Sequence, residues 1–163
     1  MQLSVEGRAA LITGGSKGLG LAMGLAFAGA GGKVVIADLK LDAAEATANE
    51  IRDAGGDALA VAMDVTDEAQ VVRAYAEMAV EFGGIDILVS NAGIASSAPI
   101  EDTSLALWNR NMDILSTGYF LVSREAFRTF LAKDGPYYEP EADTPIDEAV
   151  ATIRAAGGVP VWA

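Results

Sequence analysis

Four short apolar runs alternate with segments of helical period, and that alternation narrows the folds open to this chain. The runs lie at 8–13 (RAALIT), 33–38 (KVVIAD), 57–63 and 85–90 (IDILVS). Strands that are apolar on almost every residue need cover on both faces, which a parallel sheet between helices supplies. The segments between them carry helix signals. A first helix is predicted over 18–30 and a second over 41–54, where Leu41, Ala44, Ala48 and Ile51 share one face. A third opens at Asp67 with Gln70 as its capping-box partner, and Gly83-Gly84 ends it. Its expected buried stripe is Val71, Val72, Tyr75, Met78 and Phe82. A longer helix is predicted over 104–132. The expected fold is α/β, a doubly wound parallel sheet truncated to four or five strands.

Beyond residue 132 the composition changes. The stretch 134–144 (DGPYYEPEADT) holds two prolines and four acids and reads as a linker. Thr144-Pro145 is a helix start, with Thr as N-cap and Pro in the first helical position, and 159–162 is a last strand candidate. Two units follow: 1–132 as the main domain, and 133–163 as a linker, helix and short strand. The second is expected to pack on the same sheet or to extend it.

Charge and composition exclude whole classes of chemistry. With 11 Lys+Arg against 23 Asp+Glu, the net charge is -12, so no basic surface exists to neutralise nucleic acid or anionic lipid. There is no cysteine and no histidine. Disulfides, thiolate or imidazole metal sites and a Ser-His-Asp triad are therefore impossible within these residues. No metal site is expected. No leader peptide or membrane span is read, and a cytoplasmic location is expected.

One loop carries a specific signal. TGGSKGLG, residues 13–20, lies between the first strand and the first helix. A helix N-terminus offers unpaired N–H groups and partial positive charge to an anion, and Gly14, Gly18 and Gly20 let backbone approach phosphate closely. Asp38 stands 18 residues after Gly20, at the end of the second strand. A carboxylate there can accept both ribose hydroxyls of adenosine and repel a 2′-phosphate, which favours NAD over NADP. Lys17 pulls the other way. A plain Gly-rich turn and a strand-end acid remain the competing readings.

In this setting the chain resembles the short-chain dehydrogenases/reductases. Thr13, Gly14, Gly18 and Gly20 match the family's T-G-x-x-x-G-x-G, and Asn91-Ala92-Gly93 resembles its N-A-G motif. Asp64-Val65 resembles its adenine contact, and 108–128 (WNRNMDILSTGYFLVSREAFR) its fourth long helix. The resemblance covers about residues 3–130. It implies a Rossmann-like domain binding NAD(H), with Gly14, Ser16, Lys17, Gly18, Leu19 and Gly20 along the pyrophosphate. It places Asp38 and Leu39 at the adenosine ribose, Asp64 and Val65 at the adenine, and Asn91, Ala92 and Gly93 in the central cleft. The wording of 108–128 is most similar to members acting on sugars and small alcohols, some fused to an aldolase. The helix 104–132 is often a dimer surface in such proteins, so a homo-oligomer is expected.

The family's chemistry uses a Ser, a Tyr-x-x-x-Lys pair and commonly an Asn in the fourth helix. None of the four tyrosines here has Lys four residues on. The helix Asn position is Leu115, with Asn111 one turn earlier as the candidate to stand in for it. Ser96 and Ser97 follow the N-A-G motif and do not sit where the catalytic Ser belongs. From about residue 131 the chain is instead similar to a segment of polymerase-and-histidinol-phosphatase type metal hydrolases, without their His. The expected protein is an oxidoreductase-type NAD(H) holder with little or no catalysis. The alternative is a non-catalytic nucleotide-binding or interaction module from a truncated or composite gene.

Overall fold

The computed structural model describes residues 4–96, 98–131 and 151. Its first strand, β1 (Ala9–Thr13), leads into α1 (Gly18–Gly29), β2 (Lys33–Asp38) and α2 (Leu41–Asp53). Then come β3 (Asp57–Ala62), α3 (Glu68–Phe82) and β4 (Ile87–Val89). After a turn of 3-10 helix at Ile100–Asp102, α4 (Leu105–Met112) and α5 (Tyr119–Ala126) run on through a π-helical segment, Asp113–Gly118. A second π-helical segment, Phe127–Leu131, follows α5. All described strand pairs are parallel, and the order is β3-β2-β1-β4. The expected linker, helix and strand of 133–163 fall outside the described residues, apart from Ala151.

Every residue of β1 is buried, and alternate side chains serve two cores. Leu11, Val35 and Val61 face Val71, Tyr75, Met78 and Val122 of α3 and α5. Ile12, Val34 and Ile36 face Ala44, Ala48 and Ile51 of α2, with α1 beside them. Burial of each such aliphatic side chain contributes about 1.5–3 kcal/mol, so the two-sided pattern anchors the sheet. α1 comes close because it is built with glycine: a Cβ on Gly24 would stand 2.9 Å from Ile36 Cδ1.

Two expected core positions are corrected. Leu41 and Val72 are largely exposed, at 47% and 43%. Leu41 is the first residue of α2, where the inner stripe is Ala44, Thr47, Ala48 and Ile51. Val72, next to Val71, falls off the buried face of α3, which runs Val71, Ala74, Tyr75 and Met78. Tyr75 is structural in its setting. Its hydroxyl donates to Val122 O at 2.8 Å, and burial, helped by Glu125, pushes its ionisation well above the ordinary phenol value. The fourth strand is shorter than expected at both ends. Asp86 just before it is occupied with Arg8 Nη1 at 2.6 Å and the Ala9 N–H at 2.8 Å.

The α3 cap also differs from the expected box. Asp67 accepts the Ala69 and Gln70 N–H groups, while Gln70 Nε2 donates to Asp67 Oδ2. Gln70 Oε1 takes the Asp64 N–H rather than reaching the cap residue's own N–H. The Gln70 side-chain hydrogen bond and then its backbone N–H hold the Asp67 carboxyl below its ordinary 3.8. A carboxyl lowered on folding stabilises the fold fully above its unfolded value and loses that contribution as pH falls through its folded value. The gap in urea midpoint between wild type and Asp67→Ala should therefore be widest near pH 7 and narrow as pH falls below 3.8, as far as the neutral carboxyl caps less well than the carboxylate. A gap that does not narrow on acidification would remove the carboxylate charge from the cap.

Candidate nucleotide site

The sheet order creates a crevice. The chain leaves β1 toward β2 and β3, then crosses back to place β4 on the other side of β1. At such a reversal the loops after the two central strands part, and ligands of open parallel sheets bind at that carboxyl edge. Here those loops are 14–17 and 90–96, the glycine loop and the Asn91-Ala92-Gly93 loop.

Thr13 ties the two together. Its side chain is fully buried, and its hydroxyl oxygen accepts the Asn91 and Ala92 N–H groups, each at 2.9 Å. Asn91 reciprocates through Nδ2, which donates to Thr13 O at 3.0 Å and Gly14 O at 3.2 Å. Gly14 turns here with φ +64°, and a Cβ on it would meet Ala92 Cα at 3.0 Å. Gly20 is closer still: its Cβ would lie 2.2 Å from Gly14 O and 2.8 Å from Asn91 Nδ2. Gly15, which sequence reasoning passed over, is buried with room for no more, its Cβ position 3.0 Å from Ile36 Cγ2. Its sequence signal was its place beside Gly14.

The start of α1 suits an anion. Its N-cap residue, Lys17, makes no side-chain cap hydrogen bond, and the first turn holds no acid. Its leading N–H groups therefore keep their donor capacity and partial charge for a ligand. Gly18 has φ +58°, and Leu19 is 77% exposed. Ser16 is the loop's fixed point. Its N–H and Oγ–H both reach Asp38 Oδ2, at 3.3 and 2.5 Å, and Thr47 Oγ1 lies 3.5 Å from its carbonyl. Asp38 Oδ1 accepts the Lys40 N–H at 3.3 Å. Leu39 beside it is exposed.

The remaining expected residues have their own partners. Asp64 Oδ1 accepts from Thr66 N and Oγ1, at 2.9 and 2.7 Å. Val65 is buried, and its Cγ2 stands 2.7 Å from the Cβ position of Gly118. It seats the long helix at the end of β3. Leu115 Cδ2 is 3.0 Å from the Cβ position of Gly93, so an apolar side chain covers that loop. Asn111 is held by Ser96 and by Leu107 O: its Nδ2 donates to each at 2.7 Å, and Ser96 Oγ returns a bond to its Oδ1 at 3.0 Å. Ser97 lies outside the described residues. Among the described residues no group of three Asp, Glu, His or Cys could hold a metal, and no helix is long and apolar enough to cross a membrane.

A parallel α/β sheet covered on both faces, with a glycine loop and an N-A-G loop locked at its reversal, is a Rossmann-like domain. This chain belongs to the short-chain dehydrogenase family, whose sequence model matches residues 8–136. It is 53% identical over 123 residues to the uncharacterized oxidoreductase YuxG of Bacillus subtilis (strain 168), covering 74% of this chain and 18% of YuxG. It is 39% identical over 130 residues to sorbitol dehydrogenase of Cereibacter sphaeroides, covering 80% and 50%. A short-chain type dehydrogenase/reductase from Mycobacterium marinum superposes with a TM-score of 0.74 at 42% identity, over 77% of this chain and 51% of that one. The chain thus spans about half the length of two of these relatives and under a fifth of the third.

Proposed function

We propose that this chain binds NAD(H) as the dinucleotide-holding part of an oxidoreductase that exchanges hydride with a small alcohol or sugar. The observation that carries the reading is the Thr13–Asn91–Ala92 lock. It fixes the glycine loop and the N-A-G loop on the two sides of the sheet reversal. The pyrophosphate takes the N-terminal turn of α1 beside Gly14, Ser16, Gly18 and Leu19, with Lys17 adding charge. Asp38 takes the adenosine ribose with Leu39 against it, Asp64 and Val65 border the adenine, and Asn91, Ala92 and Gly93 line the central cleft. The sorbitol dehydrogenase relative supports a polyol as substrate class. The helix 104–132 serves as an oligomer surface in this reading, since Leu105, Trp108, Met112, Leu115 and Tyr119 are exposed along it.

One observation favours a holder without catalysis: no Tyr-x-x-x-Lys occurs in the 163 residues. From about residue 131 we read the chain as the hydrolase-like segment, while the family match itself runs on to residue 136.

Fluorescence titration of the purified chain with NADH and NADPH tests the cofactor. NADH should bind more tightly, and Asp38→Ala should lower NADH affinity about tenfold, the loss of a charge-assisted pair of hydrogen bonds. Tighter NADPH than NADH in wild type would overturn the choice of cofactor. Incubation with NAD and sorbitol should give no NADH above the rate without protein; steady turnover would restore a catalytic reading.

A further inference from the structure

Asp38 is already engaged within the protein. A carboxylate has about four acceptor positions, and three donors reach this one: the Ser16 N–H, the Ser16 Oγ–H and the Lys40 N–H. The two hydroxyls of an adenosine ribose need two positions, and at most about one is left. One donor must leave. Two of the three are backbone N–H groups, and moving either would shift the glycine loop or the start of α2. The third is a hydroxyl on a single rotatable bond, and it sits in the shortest of the three contacts, at 2.5 Å.

We propose that adenosine enters by exchange, its ribose displacing the Ser16 hydroxyl from Asp38, so that Ser16 is a positioning residue setting the affinity of the ribose pocket. The inference rests on the nucleotide reading above and deepens it. Ser16 keeps its N–H on Asp38 throughout, so the loop stays registered to β2 while its side chain turns. The freed hydroxyl lies one residue before Lys17, whose helix start lacks a side-chain cap. Ribose binding at Asp38 thereby releases a polar group beside the phosphate turn.

The exchange makes a prediction that a simple contact does not. Adenosine must displace Ser16, whereas 2′-deoxyadenosine, with one hydroxyl facing the carboxylate, needs only the remaining position. Affinities for both nucleosides are to be measured by NMR shift titration on wild type, Ser16→Ala and Ser16→Thr. Ser16→Ala should bind adenosine about three- to tenfold more tightly, the removal of one competing hydrogen bond. It should leave 2′-deoxyadenosine unchanged, and Ser16→Thr, which keeps the hydroxyl, should keep the wild-type ratio. Equal tightening of both nucleosides, or weaker adenosine binding, overturns the exchange. NADH titrated in parallel separates the two levels. Saturable NADH binding with adenosine unchanged in Ser16→Ala removes only the exchange. Absence of binding by NADH and adenosine to all three proteins removes the nucleotide reading and the exchange with it.

Discussion

Gly20→Ala is expected to abolish nucleotide binding and to destabilise the chain by about 1–3 kcal/mol, the range for overpacking a well-filled interior. The added Cβ would stand 2.2 Å from Gly14 O, 2.9 Å from Gly14 C and 2.8 Å from Asn91 Nδ2. Two of those atoms are backbone, so no flexible side-chain end can yield. The third is the amide that holds Gly14 O at 3.2 Å and Thr13 O at 3.0 Å. Relief of the clash must push α1 off the glycine loop or open the lock between β1 and β4, and each deforms the phosphate turn. Gly29→Ala is the control, because a Cβ there meets nothing within 4 Å. Urea unfolding and NADH titration of both variants make the comparison. A Gly20→Ala protein with wild-type midpoint and wild-type NADH affinity would show that α1 tolerates displacement and that the close approach has no function.

The same geometry explains what was legible in the sequence. Runs of β-branched and aliphatic residues marked β1, β2 and β3 within a residue or so, because burial on both faces leaves little room for polar groups. β4 was overextended because Asp86 and Ser90 flank an apolar triplet, and only the folded chain shows Asp86 committed to Arg8 and the Ala9 N–H. Partial burial pushes the Asp86 carboxyl up, but that N–H and the Arg8 guanidinium outweigh it and hold it below its ordinary value. The long helix was legible as one element, whereas its π-helical segments were not. Helical period alone does not say that Ile114 must reach the core while Gly118 seats on Val65. The site residues were legible as types at the right spacings. Their partners were not, since Ser16 to Asp38 spans 22 residues and Thr13 to Asn91 spans 78. A threonine closing an otherwise apolar strand was the available signal.

Thr13→Val is the sharper test of that signal, because it keeps the shape and replaces the hydroxyl with a methyl. The Thr13 side chain is fully buried, and its oxygen accepts two backbone N–H groups at 2.9 Å. Valine puts a methyl against both. An orphaned buried donor costs about 1–3 kcal/mol, so two of them should lower stability by at most roughly 2–6 kcal/mol. Thr13→Ser keeps the oxygen and loses one methyl, at a cost of about 1 kcal/mol. The ranking wild type, Ser, Val in urea midpoint therefore separates hydrogen bonding from packing. NADH affinity should fall most in the valine variant, where the N-A-G loop keeps only the Asn91 side-chain bonds to the carbonyls of residues 13 and 14. If Thr13→Val is as stable as Thr13→Ser, the two N–H groups have found other acceptors. The lock at the sheet reversal would then not be what holds the candidate site in shape.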